Sequence, residues 1–187
     1  MPLTLQEIDP DNDFPALARC LFESYEDPPQ KFFHVFFPIH GEGAEAREDA
    51  IKEAADRLKL WHTHDPSSYW QKVVDEDTGK IAAGALWNIH KENPFANPTP
   101  PTVSWFPDDG SRRFVEKALV NHNRPRSKVA QKPHICKYTL SLSKLLEVPA
   151  IPYCMSQRRS VFSAVIHMDS GSPCCHLCVA SIVTDRN

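Results

Sequence analysis

The sequence predicts an α/β (α+β) fold, because helix-like and strand-like patterns alternate along the chain. The strongest helix pattern spans residues 44–62, where apolar side chains recur every three to four positions. Two strand-like segments, 69–75 and 80–90, flank a short polar turn and predict an antiparallel hairpin. The 187 residues are 41% hydrophobic, which is sufficient for one domain with its own core.

The elements that precede the strongest helix follow from alternation and from residues that begin or end helices. Residues 3–8 alternate between apolar and polar, as in a strand with one buried face. A helix is predicted to begin at a cap among residues 11–13, with Pro15 in its first turn, and to end before Pro28. The aromatic segment 31–37 is interpreted as a short buried helix.

The predicted helix over 44–62 has one apolar face and one charged face. Glu48 and Lys52, like Glu53 and Arg57, are spaced four residues apart and form favourable pairs on the solvent side. The apolar stripe consists of Ile51, Ala54, Leu58 and Trp61. This amphipathic pattern predicts that the helix packs along one side against the sheet.

The hairpin turn contains Gly79, which supplies the positive φ that such turns require. Alternation along the second strand predicts that five residues share one face: Ile81, Ala83, Ala85, Trp87 and Ile89. Residues of the other parity, which include Gly84 and His90, share the opposite face. A glycine inside a strand indicates a bulge or a close backbone approach.

Beyond the hairpin, the pattern predicts a loop, a helix, a second loop and a strand. Residues 93–101 are rich in proline and form the first loop. Residues 111–121 have helical spacing, and the basic segment 122–133 is interpreted as a loop. His134 and Ile135 begin the next strand.

Composition and charge exclude several classes of function. The formal net charge of -3 gives no general attraction to nucleic acid. No apolar run is long enough to span a membrane and no signal peptide is present, so a cytoplasmic location is expected. Cys175 and Cys178 form one C-x-x-C pair, with Cys174 and His167 nearby; this supplies only half of a zinc site, and no metal is predicted.

Three stretches of the sequence carry a resemblance to a known family. They read LARCLFESYEDPP (17–29), WHTHDPSSYWQKVVDEDTGKIAAGALWNIH (61–90) and RRFVEKAL (112–119). Together they resemble a fungal group of GNAT-type N-acetyltransferases, over about residues 1–135. The resemblance implies a mixed sheet flanked by helices and an acetyl-CoA co-substrate. It also implies that acetyl-CoA enters between two parallel strands that splay apart, the first of which begins near His134.

The resemblance further implies a phosphate-binding turn of the form Gln/Arg-x-x-Gly-x-Gly/Ala after that strand. Backbone N–H groups of such a turn face the pyrophosphate, and glycines allow the close approach. The only similar run places Ser160 and Phe162 where the glycines belong. The alternative is an accidental basic turn. The candidate cofactor-binding residues are Gln157, Arg158, Arg159, Ser160 and Val161.

One histidine and two tryptophans are candidates for the acceptor side of the site. Histidine is the usual group that removes a proton from an amine near neutral pH. His90, at the end of the second hairpin strand, is the candidate catalytic base. Trp70 and Trp87 are candidates for the lining of a substrate pocket. The alternative is structural, since most histidines have no catalytic role and tryptophans in strands commonly belong to the core.

Residues 136–187 differ in character from residues 1–135 and are treated as a divergent tail. Five of the six cysteines lie there, charged residues become sparse and the resemblance ends. The segment 136–138, Cys-Lys-Tyr, can be encoded by TGT-AAG-TAY, which contains the consensus start of an intron. One hypothesis is therefore a retained intron followed by a shifted frame. The other is a genuine but divergent carboxy-terminal half.

Two functions from different classes remain open at this point. The first is acetyl transfer from acetyl-CoA to an amine of a small molecule or peptide, with neither nucleic acid nor membrane as a partner. The second is a non-catalytic remnant or binding module that lacks the acetyl-CoA site. The departures at Ser160 and Phe162 favour the second function, and the resemblance favours the first.

Overall fold

The computed structural model describes residues 2–97 and 99–142 of the chain. The elements in chain order are β1 (Leu3–Glu7), α1 (Phe14–Glu26), a short 3-10 helix (Lys31–Val35), α2 (Gly43–His64), β2 (Ser68–Asp75), β3 (Ile81–His90), α3 (Gly110–Val129) and β4 (His134–Leu142). The strands form one sheet in the order β1-β2-β3-β4, and each neighbouring pair is antiparallel. The predicted α/β fold class is confirmed.

Strand β4 crosses the point at which the sequence changes character. It runs without a break through residues 135 and 136 and pairs with β3 over its whole length. The parallel strand that the resemblance implies after β4 lies outside the described residues. The sheet of the described residues is therefore antiparallel throughout.

The turn between β2 and β3 is held by the side chain of Asp75, which is buried. Its carboxylate accepts hydrogen bonds from Thr78 Oγ1 at 2.7 Å and from the backbone N–H of Asp77 at 3.1 Å. Gly79 has a φ of 69°, a conformation that side-chain-bearing residues rarely adopt. The predicted hairpin and its glycine are confirmed.

A bulge in β3 corrects one detail of the predicted alternation. Val73 lies opposite Ala83 while Val74 lies opposite Ile81, so Ala82 is the extra residue. The bulge turns Ile81 away from the face predicted for it. Ile81 instead packs against the main core.

The main core lies between one face of the sheet and the pair α1 and α2. α1 packs against α2 and also lies against β3 and β4. The buried side chains of this core are Phe14, Leu17, Ala18, Leu21, Phe22, Phe33, Phe37, Ala50, Ile51, Ala54, Ala55, Leu58 and Trp70. The predicted short helix in 31–37 is present as a 3-10 helix, and its Phe33 packs edge-to-face on Phe22 of α1. It is not buried as a whole, because Phe33 is its only buried residue and Phe32 is 45% exposed.

A smaller second core connects α3 to the rest of the described chain. Val103 precedes α3 and is fully buried against Val115 and Leu119 of that helix. Trp105, from the same segment, packs edge-to-face on Trp61 of α2, with ring centroids 5.4 Å apart. The segment before α3 is therefore attached to α2 by aromatic contacts.

Helix α3 is longer than the sequence predicts. Its amino terminus is capped by Asp109, whose carboxylate accepts from the N–H of Ser111 at 2.7 Å. It continues to Val129, through Pro125, although residues 122–133 were expected to be a loop. The contacts of Arg126, described below, hold this last part against the sheet. No helix in the described ranges has the length and apolar character needed to cross a membrane.

Candidate functional site

The candidate site lies where β3 ends and β4 begins. His90, the last residue of β3, is paired with His134, the first residue of β4, and their ring centroids are 4.9 Å apart. Cys136 lies opposite Asn88 in the same ladder. Since side chains two residues apart in a strand point to the same face, the three side chains meet on one face. We call His90, His134 and Cys136 the His–His–Cys cluster.

Each member of the His–His–Cys cluster offers one ligand or proton-accepting atom. One ring nitrogen of each histidine and the thiol Sγ all lie within 4.8 Å of one another. All three side chains are half-buried. Imidazole nitrogen and thiolate sulfur are the ligands that zinc prefers in proteins, so these residues are the ones that could hold a metal among those described.

His134 is fixed in one tautomer by its neighbour. Its Nδ1 lies 2.7 Å from the carbonyl oxygen of Lys132, which can only accept, so Nδ1–H is the donor. In the neutral ring, the lone pair therefore resides on Nε2. That nitrogen is buried and has no hydrogen-bond partner in the described part of the chain.

Arg126 reaches the cluster from α3. Its Nη2 lies 3.2 Å from Nε2 of His90 and 2.8 Å from Sγ of Cys136. Its guanidinium also stacks over the ring of Phe95 at 5.5 Å. Because a guanidinium can only donate, Nε2 of His90 is the acceptor and its proton is on Nδ1.

A polar network supports β3 beside the cluster. The amide of Asn88 donates to Asp65 Oδ2 at 3.0 Å and lies 2.9 Å from Ser67 Oγ. Ser67 in turn donates to Asp65 Oδ1 at 2.7 Å. Asp65 follows directly after α2. The network therefore connects the end of α2 to the strand that carries His90.

Burial shifts the pKa values of His90 and Cys136. It lowers the pKa of His90, and the nearby His134 and Arg126 lower it further, while Asp65 opposes the shift. Burial raises the pKa of the Cys136 thiol, against the effect of Arg126. At neutral pH His90 is therefore an uncharged imidazole and Cys136 is a thiol.

The two tryptophans predicted to line a pocket lie on opposite faces of the sheet. Trp70 is 2% exposed, packs edge-to-face on Phe14 and belongs to the main core. Trp87 lies opposite Tyr69, on the other face. Its indole N–H is buried and has no hydrogen-bond partner among the described residues. The structure therefore does not bring Trp70 and Trp87 together.

The predicted cofactor-binding residues, Gln157 to Val161, lie outside the described residues. His90 lies where predicted, at the end of the second hairpin strand, and its catalytic role remains a prediction. Its neighbours His134 and Cys136 were not predicted to join it. The available signal was the i, i+2 spacing of His134 and Cys136 at the start of a strand, but the register with β3 was needed to add His90.

Three solved structures resemble this chain at 14% sequence identity. A protein from Corynebacterium glutamicum, described as a histone acetyltransferase and related acetyltransferase, gives a TM-score of 0.43 over 79% of this chain and 64% of its own. A tetramutant protein from Bacillus halodurans gives a TM-score of 0.32 over 66% of this chain and 76% of its own. A ribosomal-protein-S5-alanine acetyltransferase from Vibrio fischeri gives a TM-score of 0.27 over 68% of this chain and 66% of its own.

This chain spans less than two thirds of the length of the Corynebacterium and Vibrio proteins. No protein-family model matches the sequence. No curated protein matches it either.

Proposed function

We propose that this chain is built as an N-acetyltransferase of the GNAT type, which transfers acetyl from acetyl-CoA to an amine of a small molecule or peptide. The observation that carries the proposal is the start of β4 at His134. The family resemblance places the first of two splayed strands at that residue. The preceding order of strand, two helices and an antiparallel hairpin agrees with the same resemblance. A cytoplasmic location is part of this proposal.

The reaction joins the amine nitrogen to the acetyl carbon and breaks the carbon–sulfur bond of the thioester. The amine must lose a proton, and the thiolate of coenzyme A leaves. His90 is our candidate for the proton acceptor, because its lowered pKa keeps the ring uncharged at neutral pH. Its Nε2 accepts from Arg126, so proton uptake requires that Arg126 turn away.

Trp87 is the better supported of the two candidate pocket tryptophans. Its buried indole N–H has no partner in the described part of the chain, and such a group can donate to a bound acceptor. Trp70 is enclosed by the main core. Trp87, and not Trp70, therefore remains the candidate for contact with a bound group, but it lies on the face of β3 opposite to His90 and would not line the same side of the acceptor as that base.

The alternative, a non-catalytic remnant or binding module, is favoured by one observation. Ser160 and Phe162 replace the glycines that the family turn requires. A benzyl group at position 162 would hold the backbone away from the pyrophosphate. We therefore expect this chain to bind acetyl-CoA weakly, with Arg158 and Arg159 providing attraction that salt screens.

Calorimetric titration of the full chain with acetyl-CoA tests the proposal. We expect a dissociation constant of about 1 mM or weaker, and a gain of at least about tenfold in the double variant Ser160→Gly/Phe162→Gly. Ser181→Gly, which lies outside the run, serves as the control and should change nothing. The same three proteins would then be assayed for acetyl transfer to a panel of primary amines.

Two results would overturn parts of this view. Micromolar binding of acetyl-CoA by the unmodified chain would show that Ser160 and Phe162 do not impair the site. It would exclude the alternative of a non-catalytic remnant. Absence of binding and of transfer in both the unmodified chain and the double variant would overturn the acetyltransferase proposal in favour of the remnant.

A further inference from the structure

The His–His–Cys cluster has the composition and spacing of a transition-metal site. Zinc lies about 2.0–2.3 Å from histidine nitrogen and cysteine sulfur, so its ligand atoms lie roughly 3.5 Å from one another. The three candidate atoms here are already within 4.8 Å of one another. Binding of one ion therefore requires rotation of these half-buried side chains until the three atoms converge.

The pairing of β3 with β4 fixes the separation of the three residues of the His–His–Cys cluster. His134 and Cys136 are two residues apart on β4, and His90 is the cross-strand partner of His134. Residues that face each other across a regular antiparallel ladder are held at a fixed separation. The ligands are therefore carried by two paired strands and not by a loop.

His134 has the surroundings of a metal ligand. A metal-bound histidine typically donates its second ring N–H to a carbonyl or carboxylate, which fixes the tautomer. His134 Nδ1–H donates to the carbonyl of Lys132 at 2.7 Å. Its Nε2, which carries the lone pair, is buried without a partner in the described part of the chain. A buried polar atom of this kind is unfavourable unless something binds it.

A positive group already lies between two members of the cluster. Arg126 Nη2 is within hydrogen-bond distance of both His90 Nε2 and Cys136 Sγ. The guanidinium therefore contacts two of the three atoms that would bind a metal ion. A metal ion and this guanidinium would compete for the same lone pairs.

We propose that His90, His134 and Cys136 form a binding site for a thiophilic divalent cation such as zinc, with Arg126 as its intramolecular competitor. Nitrogen and sulfur ligands favour zinc or cobalt over magnesium or calcium, which prefer oxygen. On binding, the Cys136 thiol releases its proton to solvent and Arg126 turns out of the site. Three protein ligands leave a fourth position for water or another oxygen or nitrogen ligand.

This inference does not depend on the proposed acetyltransferase activity. The two nevertheless interact at His90, because a bound cation takes the lone pair that proton uptake from an amine requires. A loaded site would therefore leave His90 unable to act as a base. The metal measurement itself uses no acetyl-CoA, so failure of one proposal does not imply failure of the other.

The tail contains a second set of thiols that must be removed from the test. Cys174, Cys175 and Cys178 include a C-x-x-C spacing and lie outside the described residues. The full chain carrying serine at these three positions is therefore the parent protein. Zinc affinity is measured by competition with a chromophoric chelator, and cobalt is used as a spectroscopic probe of thiolate coordination.

We expect the parent to bind one zinc ion in the micromolar range or tighter and to show a cobalt–thiolate charge-transfer band. His134→Asn and Cys136→Ser should each weaken binding by at least about tenfold, and Cys136→Ser should abolish the band. His64→Ala is the matched control, since the ring of His64 is exposed and bonds only locally to the Leu60 carbonyl. It should bind as the parent does.

Arg126→Met gives the sharpest test, because a purely structural arginine and a competing arginine predict opposite results. If Arg126 competes with the cation, its removal should tighten zinc binding by about tenfold. Circular dichroism of each variant verifies that it is folded. The proposal is overturned if folded His134→Asn and Cys136→Ser bind zinc as the parent does, or if Arg126→Met weakens binding.

Discussion

The buried charge of Arg57 connects three segments of the described chain. The side chain is 9% exposed and lies on α2. Its Nη1 donates to the carbonyl oxygen of Phe36 at 2.6 Å, beside the 3-10 helix. It is paired with Glu53 one turn earlier, and its guanidinium stacks over Trp105 at 4.9 Å. Burial lowers the pKa of Arg57, while Glu53 opposes the shift.

Substitution of Arg57 should therefore destabilise the fold more than loss of an ordinary surface charge. In Arg57→Ala, the Phe36 carbonyl loses its donor and the face of Trp105 loses its covering group. We expect the free energy of unfolding to fall by about 2–4 kcal/mol. Lys52→Ala, at an exposed position of the same helix, should change it by less than about 0.5 kcal/mol. Urea denaturation measures both, and equal effects would contradict the role given to Arg57.

The residues of the site were only partly predictable, because their proximity depends on strand register. His90 could be proposed from its place at the end of an apolar strand. Its partners His134 and Cys136 are about 45 residues away in sequence, and only the pairing of β3 with β4 brings them together. The role of Arg126 was even less predictable from the sequence, since Arg126 belongs to a segment that the sequence predicts to be a loop.

Helix α2 illustrates at the element level how burial decides the effect of a substitution. Leu58 and Leu60 lie on the same helix, but Leu58 is 4% exposed and Leu60 is 56% exposed. Leu58→Ala should leave a cavity between α1 and α2 and lower the free energy of unfolding by about 3 kcal/mol. Leu60→Ala should change it by less than about 0.5 kcal/mol, since alanine also favours helix. Chemical denaturation of the pair is the test, and a cost at Leu60 comparable to that at Leu58 would disprove the orientation of the helix.

Helix α3 includes an unfavourable residue, Pro125, in its interior. Proline lacks the N–H that would bond one turn back and clashes with the preceding turn. Pro125→Ala should therefore raise the free energy of unfolding by about 1–2 kcal/mol, after a smaller loss from the more flexible unfolded chain. Pro100→Ala, in a loop, should have the opposite sign and a smaller size. A destabilised Pro125→Ala would show that α3 ends before residue 125.

Local patterns predicted the elements of the fold well where hydrophobic period and turn chemistry agree. The helix predicted over 44–62 extends over Gly43–His64, and the strand predicted over 80–90 extends over Ile81–His90. The prediction ended α3 too early because Pro125 is a strong local signal against helix. In the structure, tertiary contacts of Arg126 with Cys136 and Phe95 stabilise the helix beyond Pro125. Hydrophobic periodicity does not predict contacts of this kind.

At the scale of the whole molecule, the sequence predicts that residues 136–187 are less well packed than residues 1–135. Residues 136–142 belong to β4, and the remainder lies outside the described residues. Limited proteolysis of the full chain, followed by mass spectrometry, tests the prediction for 143–187. The first cuts should fall there, whereas first cuts in α1 or α2 would refute it.

The contact between Trp61 and Trp105 has a spectroscopic consequence for work on the full chain. All four tryptophans, Trp61, Trp70, Trp87 and Trp105, fall within a segment of 45 residues, and none follows residue 105. Intrinsic tryptophan fluorescence therefore reports on the helices and the hairpin, and on α3 and β4 only through their contacts with Trp105 and Trp87. Since Trp61 and Trp105 lie edge-to-face at 5.4 Å, their coupled near-ultraviolet circular dichroism should also disappear when the segment before α3 detaches from α2, even while the hairpin signal of Trp70 persists.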